Sequence, residues 1–301
     1  MKWEGDRQSD NIEDRRDDGD GGGGGGGLPF IGGRGIGLGT IAIAVIAGLV
    51  FHVNPLAILG LVSGAGGGAP VQTQQAPNRS TRPHDPAEEQ LVAFVRTVLA
   101  DTEDVWTTLF QAEGATYRKP VLVMFRGSTR TGCGQGQAAM GPFYCPADEK
   151  VYIDLGFYDT LRTRLGSPGD FAQAYVIAHE VGHHVQKLMG ISAKVDAARR
   201  GSSEARANAL SVRLELQADC FSGVWANHAN QMKQVLQPGD IDEALNAASH
   251  IGDDALQRQA RGTVVPETFT HGTSAQRVHW FRQGFDSGDI HQCDTFQARS
   301  L

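Results

Sequence analysis

The sequence predicts an α+β protein in which a small sheet packs on several helices and one transmembrane helix precedes the folded domain. Two short apolar runs, at Val121 to Phe125 and Lys150 to Leu155, have the composition of strands. After Asp170 the apolar residues recur at helical spacing almost to the end of the chain. A long segment without any charged residue, between Arg34 and Arg79, accounts for the membrane helix.

Residues 1–35 are predicted to be a disordered cytoplasmic tail. They contain seven consecutive glycines, eight acidic residues and five basic residues, and offer little apolar surface to bury. All five basic residues precede the apolar segment, and none follows it until Arg79. Positive residues favour the cytoplasmic side of a membrane, so the N-terminus is expected there.

Residues 36–62 are predicted to cross the membrane. The run from Ile36 to Val53 alone would span about 27 Å as a helix, which suffices for one crossing, and apolar residues continue past Pro55. A secretory signal peptide is the alternative, but such signals have a shorter apolar core and a short leader. Residues 63–86, rich in Gly, Ala, Gln, Pro and Ser, are predicted to be a flexible linker. The functional domain should therefore comprise residues 87–301, outside the cytoplasm.

Charge and cysteine content narrow the possible functions. The chain carries 27 Lys and Arg against 34 Asp and Glu, a formal charge of −7, which argues against nucleic-acid binding. All four cysteines follow the linker, and an even count fits an oxidising compartment. Three pairings are possible. Cys133 with Cys145 would close a local loop and leave Cys220 with Cys293, whereas four buried free thiols are the alternative.

A metal-binding motif lies within the helix predicted from Phe171 to Leu188. Residues 179–183 read His-Glu-Val-Gly-His, so His179 and His183 are four residues apart and lie on one helix face. Two imidazoles so placed can bind one Zn²⁺, while Glu180 leans toward a water on the metal.

A second helix, predicted from Ser203 to His228, offers the missing third ligand. Glu215 and Asp219 share one face of this otherwise apolar helix, and carboxylates on a buried face need partners. Glu215 as a zinc ligand and Asp219 as the partner of a ligand imidazole would meet that need. The alternative is a pair of carboxylates that faces solvent.

Together these motifs are similar to those of known peptidases. HEVGH followed by ELQAD resembles the gluzincin group of zinc metallopeptidases. The whole chain resembles a narrower family, the bacterial membrane-anchored neutral zinc metallopeptidases, through MKWEGDRQSDNIEDRR, the glycine run, the apolar segment, GPFYCPADEKVYIDLGF, AHEVGHHVQ, ELQADCFSGVWA and HGTSAQRVHWF.

This resemblance implies a zincin-like fold and a site for one zinc ion. The ligands would be His179, His183 and Glu215, with Glu180 as the general base. A sheet edge, expected at Lys150 to Leu155, would bind an extended peptide as an added strand, with Tyr152 and Asp154 lining the cleft.

The oxyanion formed during peptide hydrolysis needs a further donor, for which related gluzincins use a His or Arg from a later segment. His271 is the first candidate and Arg277 the second. Alternatively, both are structural, with His271 capping a helix and Arg277 holding a carboxylate such as Asp219.

The predicted function is thus that of a zinc metallopeptidase, most simply an endopeptidase, on the outer face of the bacterial inner membrane. Its partners would be a peptide or protein substrate and the lipid bilayer, through residues 36–62, and not nucleic acid. The alternative is a catalytically weak zinc protein that binds peptides or assists envelope assembly. Co²⁺ or Mn²⁺ could also occupy such a site in vitro.

Overall fold

The computed structural model describes residues 1–18, 85–137, 141–163 and 169–301 of the chain. It confirms the α+β class. The strands are β1 (Ile12–Arg15), β2 (Val121–Phe125), β3 (Ser128–Thr131), β4 (Gly134–Gln137), β5 (Phe143–Cys145) and β6 (Lys150–Asp154). The helices are α1 (Pro86–Ala112), α2 (Gly156–Thr163), α3 (Asp170–Leu188), α4 (Ile191–Arg199), α5 (Glu204–Lys233), α6 (Asp240–His250), α7 (Asp253–Arg261) and α8 (Ser274–Ser287), with 3-10 turns at Pro266–Thr268 and Ile290–Cys293.

The main sheet has four strands in the order β1-β2-β6-β5. β1, β2 and β6 are parallel, and β5 runs antiparallel to β6. Alternation along β2 and β6 sends Leu122 and Ile153 into the main core, and Val123 and Tyr152 into a smaller cluster on the other face. β3 and β4 form a separate hairpin.

The helical layer is built around α5, which packs against both α3 and α8. The contact with α8 is so close that a Cβ on Gly284 would lie 1.9 Å from the carbonyl oxygen of Cys220. Any side chain at Gly284 would therefore push the two helices apart. This approach brings Arg277, on α8, within reach of Asp219 on α5.

The prediction of a disordered tail is wrong for residues 1–18. These residues form β1 and pack on α1, where Trp3 meets Phe94 edge to face at 5.4 Å. Ion pairs and hydrogen bonds also hold the segment, and the spacing of apolar residues does not reveal them. Ser9 donates to the carboxylate of buried Glu103 at 2.6 Å, and nearly buried Arg16 pairs with Glu88 and Glu89 of α1.

Docking of this segment constrains the topology of the chain. Ile12 to Arg15 pair with Leu122 to Phe125, so residues 1–18 and the rest of the domain lie on the same side of any membrane. A single crossing that leaves the N-terminus on the opposite side, as the sequence predicts, is incompatible with this sheet.

The predicted membrane segment, 36–62, lies outside the described residues, as does the linker up to residue 84. Among the helices that the structure describes, none combines the length and the apolar character needed to cross a bilayer.

One other expectation about the elements needs correction, and two features were not predicted. The C-terminal helical region is interrupted at Ile251 and Gly252, between α6 and α7, where the backbone of Gly252 packs against Ser274 and no Cβ would fit. β6 is an inner strand with neighbours on both sides, so Lys150 to Leu155 is not the sheet edge. The edge beside β6 is β5, a three-residue strand that the sequence did not predict.

Candidate metal centre

The site lies where α3 passes α5. Both histidines of the motif are on α3, and their backbone is brought close to α5 because Gly182 has no side chain. A Cβ at Gly182 would lie 3.1 Å from the carbonyl oxygen of Ala218, tighter than an ordinary contact. Glycine within HEVGH thus permits the approach that brings the histidines to Glu215.

Three side-chain atoms converge as a metal ion would require. Nε2 of His179 lies 3.2 Å from Oε2 of Glu215, and Nε2 of His183 lies 3.5 Å from the same oxygen. Ligands about 2.0–2.1 Å from a tetrahedral zinc ion lie about 3.3 Å from one another, so this spacing fits zinc. In the described part of the chain, His179, His183 and Glu215 form the one cluster able to hold a metal ion.

Asp219 supports His179 from behind, as predicted. Its Oδ1 lies 2.8 Å from Nδ1 of His179 and accepts a hydrogen bond from the hydroxyl of Tyr175 at 2.6 Å. Arg277 donates to both oxygens of Asp219, at 2.8 and 2.9 Å. Asp219 is fully buried, so these partners replace the water that its charge has lost.

Burial and neighbouring charges shift the pKa values of Asp219 and His179. Burial raises the pKa of Asp219, but the charges of Arg277 and His179 outweigh burial and lower it to about 2. Burial lowers the pKa of His179, but the charge of Asp219 and the hydrogen bonds with Asp219 and Glu215 raise it to about 10. Burial raises the pKa of Glu215 as well, but the charge of His183 and the hydrogen bonds with His179 and His183 hold it well below 4.5. Glu215 is therefore ionised and able to bind a cation, which must displace the proton on His179.

Glu180, next to His179 on α3, is almost buried, with 8% of its surface exposed. Burial raises the pKa of its carboxyl group above the usual 4.5, although the charges of His179 and His183 oppose the shift. A carboxylate whose pKa moves toward neutrality is suited to accept a proton and return it.

Arg277 does not take the predicted oxyanion-stabilising position. Besides Asp219, its guanidinium donates to the hydroxyl of Tyr175 and to the carbonyl oxygen of Ile251, and only 3% of the residue is exposed. Asp219, which is buried, holds this guanidinium on the side of His179 that faces away from Glu215. The structural role, in which Arg277 holds Asp219, is the one that this geometry supports.

His271 lies near enough to Glu215 for their charges to interact. Its Nδ1 is 3.3 Å from Oδ1 of Asp253, and its backbone N–H donates to Oδ2 of Asp253 at 2.6 Å. Asp253, the first residue of α7, also accepts the backbone N–H of Thr270 and Gly272. Sequence patterns do not single out Asp253, because this contact spans 18 residues.

The strand β5 is tied to α3 beside the site. The hydroxyl of Tyr144 lies 3.0 Å from Nδ1 of His184, whose Nε2 bonds the carbonyl oxygen of Arg118 at 2.6 Å. In contrast, Tyr152 and Asp154 do not line a cleft. Both are buried, Tyr152 donating to Asp148 and Asp154 accepting the backbone N–H groups of Gly127 and Gly156.

Both disulfides expected from the local-loop pairing are present. Cys133 in the β3–β4 turn is bonded to Cys145 of β5, and Cys220 of α5 is bonded to Cys293 near the C-terminus. Cys220 and Cys293 are both fully buried. The second bond therefore fastens the C-terminal segment to the helix that carries Glu215.

Gln186, a partner of the second histidine, was not predicted from the sequence. Oε1 of Gln186 lies 2.9 Å from Nδ1 of His183. Its position three residues after His183 on the same helix could have suggested the contact, since such residues share a face.

Comparison with known proteins extends the resemblance to nearly the whole chain. The model of a family described as "Putative neutral zinc metallopeptidase" matches residues 1–296. The uncharacterized protein YpfJ of Escherichia coli K12 is 54% identical over 300 residues, which cover 98% of this chain and 99% of the relative. The uncharacterized protein Rv2575 of Mycobacterium tuberculosis H37Rv is 44% identical over 207 residues, covering 65% and 68%. No solved structure matches this chain.

Proposed function

The chain belongs to the "Putative neutral zinc metallopeptidase" family, and from that membership we propose that it is a zinc-dependent endopeptidase with a zincin-like active site. The observation that carries the proposal is the convergence of His179, His183 and Glu215 with Glu180 beside them. A site that only held the metal for stability would have no use for a buried carboxylate next to it.

In the proposed reaction His179, His183 and Glu215 would hold a zinc ion, which would act as a Lewis acid that lowers the pKa of water and polarises a peptide carbonyl. Glu180 takes the proton from the attacking water and delivers it to the departing amine. Asp219, held by Arg277, keeps His179 oriented and electron-rich. His271, oriented by Asp253, donates a hydrogen bond to the oxyanion.

We propose β5 as the strand that binds an extended peptide. In the described residues it is an edge of the main sheet, with β6 on one side. Tyr144 connects it to His184, which follows the ligand His183 directly in the chain. Backbone groups on the outer side of Phe143 to Cys145 could pair with a substrate strand.

The proposed location is an oxidising compartment at the outer face of the bacterial inner membrane. The disulfide between Cys220 and Cys293, both of which are buried, supports an oxidising environment. Residues 1–18 would lie in the same compartment as the domain that they complete. The apolar sequence 36–62 supports contact with a lipid bilayer. This segment would then approach the bilayer from the outer side, where the domain lies.

Cleavage of a peptide library by the parent and by Glu180→Gln, at equal zinc occupancy, tests the proposal. The full chain is needed, because a fragment starting at residue 87 lacks β1. Cleavage by the parent and loss of at least about 100-fold in the variant support the peptidase. Stoichiometric zinc without cleavage by either protein would favour the peptide-binding or envelope-assembly function instead. A parent that binds no zinc would contradict both.

A further inference from the structure

We infer that two buried glutamines, Gln186 and Gln217, form a hydrogen-bond relay that positions His183 and connects it to the Cys220–Cys293 disulfide. Gln186 lies on α3, three residues after His183, and Gln217 lies on α5, two residues after Glu215. Their exposed fractions are 0% and 4%. The inference rests on the metal-binding part of the proposed function and not on peptide hydrolysis.

Backbone carbonyl groups fix the orientation of both amides. Nε2 of Gln186 lies 2.7 Å from the carbonyl oxygen of Leu214, and Nε2 of Gln217 lies 3.0 Å from that of Cys293. A carbonyl oxygen can only accept, so the NH₂ group of each amide must be the one that faces it. Oε1 of Gln217 then accepts the second N–H of Gln186, at 3.1 Å.

This orientation determines which nitrogen of His183 bears a proton. Oε1 of Gln186 faces Nδ1 of His183 at 2.9 Å and can only accept. The neutral imidazole must therefore carry its proton on Nδ1, which leaves the lone pair on Nε2, the atom that faces Glu215. Gln186 thus does for His183 what Asp219 does for His179, with a neutral amide in place of a carboxylate.

The far end of the relay is held by the C-terminal segment. Cys293, whose carbonyl oxygen accepts from Gln217, is bonded to Cys220 of α5. Two residues later, buried Thr295 donates to the carbonyl oxygen of Arg213 at 2.6 Å. The C-terminal segment is therefore fastened to α5 on both sides of Glu215, at Arg213 and at Gln217. Loss of the disulfide would loosen the support of His183.

A matched pair of substitutions at Gln186 tests the relay. Gln186→Leu removes the acceptor for Nδ1, whereas Gln186→Glu keeps an acceptor there, and both lose the amide NH₂. Zinc affinity of the full chain is measured by competition with a chromogenic chelator. We expect the dissociation constant to rise about 10- to 100-fold in Gln186→Leu and by a smaller, several-fold factor in Gln186→Glu, which keeps the acceptor for Nδ1 but loses the bond to Gln217. Equal weakening in both variants would mean that packing alone is responsible and would overturn the inference.

Substitution of Gln217 tests the second step. We expect Gln217→Leu to weaken zinc binding several-fold, while Gln257→Leu, at a buried glutamine that bonds Thr268 and Val265 instead, leaves it unchanged. Long-range proton–nitrogen NMR spectra of the metal-free protein, recorded at a pH where His183 is neutral, should show His183 protonated at Nδ1 in the parent and not fixed in that form in Gln186→Leu. An unfixed tautomer in the parent would contradict the relay.

The two disulfides provide the last comparison. Zinc binding should weaken several-fold in Cys220→Ser/Cys293→Ser and remain unchanged in Cys133→Ser/Cys145→Ser, whose bond does not touch the relay. Equal affinities in both double variants would disprove the connection to the disulfide. The glutamine variants keep both disulfides, so they decide the role of the relay even if loss of one disulfide unfolds the protein. A parent that binds zinc but cleaves no peptide would refute only the peptidase proposal.

Discussion

Asp219 contacts the candidate metal ligand His179 on the side of its ring away from Glu215: Oδ1 of Asp219 lies 2.8 Å from Nδ1 of His179, whose Nε2 faces Glu215. The carboxylate is itself fixed by Arg277, which donates to both of its oxygens. The metal centre therefore depends on a buried charge pair that contributes no ligand.

The first prediction follows from this contact. Asp219→Asn keeps an acceptor near His179 but removes the negative charge that makes the imidazole a stronger ligand. We expect the dissociation constant for zinc to rise about 10- to 100-fold, measured by chelator competition. Asp286→Asn, which removes an exposed charge from α8, is the control and should bind zinc like the parent. Unchanged affinity in Asp219→Asn would show that the charge does not tune His179.

The second prediction concerns Arg277. Arg277→Met would leave the charge of Asp219 buried without its cation, and we expect the free energy of unfolding to fall by about 3–5 kcal/mol. Urea unfolding of the metal-free protein measures the loss. If Arg277→Met were as stable as the parent but hydrolysed peptides much more slowly, the result would contradict the structural role and favour oxyanion stabilisation by Arg277.

Local patterns in the sequence were enough to select the candidate ligands His179, His183 and Glu215, which the structure brings together. His179 and His183, and likewise Glu215 and Asp219, are pairs four residues apart, so helix geometry alone places each pair on one face. The order of strands was not predictable in this way. β5 has three residues and follows a segment rich in glycine, and only the finished sheet shows that it, and not β6, is the edge.

The N-terminal segment illustrates a different limit. Its polar residues suggest disorder because their partners are far away in the chain: Ser9 and Glu103 are 94 residues apart. Polar side chains are buried when each finds a partner, and sequence periodicity contains no information about such pairs. For the same reason the relay from His183 to Cys293 could not be predicted beyond its first step.

The third prediction tests docking of residues 1–18 by acid. Burial raises the pKa of Glu103, but hydrogen bonds from Ser9, Asn11 and Arg7 outweigh burial and hold it below 4.5. A carboxylate with a lowered pKa stabilises the fold fully above its unfolded value, and this contribution is lost as the pH falls through the folded value. The hydrogen-exchange protection of residues 7–15, corrected for the slower intrinsic exchange in acid, should therefore fall below about pH 4.5, before the protection of the core of α5 falls.

Glu103→Gln is the control for this measurement. Without the carboxylate, the segment should be less stable at pH 7, by roughly 1–3 kcal/mol, and its exchange should lose the added sensitivity to acid. Exchange in the parent that is already fast at pH 7 would mean that the segment does not dock in solution.

The fourth prediction concerns the side of the membrane on which the N-terminus lies. Gln8 and Asp286 are both exposed, one in the N-terminal segment and one on α8. In cells that express the full chain, a membrane-impermeant maleimide should label Gln8→Cys and Asp286→Cys alike. Labelling of Asp286→Cys alone would place the N-terminus in the cytoplasm, and the pairing of β1 with β2 could not then occur within one chain.

The fifth prediction separates catalysis from metal binding. Burial lowers the pKa of His271, but its hydrogen bond to Asp253 and the charges of Glu215 and Asp253 raise the pKa above 6.5. If protonated His271 donates to the oxyanion, its contribution is complete below pH 6.5 and disappears as the pH rises through the raised value. His271→Gln should lower kcat/KM about 100- to 1,000-fold with zinc affinity unchanged.

Asp253→Asn adds the pH dependence to this test. Loss of the negative partner should lower the pKa of His271, so the alkaline limb of the kcat/KM profile should move to lower pH. A purely structural Asp253, which caps the loop through the N–H groups of Thr270 to Gly272, would change stability and leave that limb in place. The position of the limb therefore tells whether Asp253 acts on the reaction through His271 or only holds the loop.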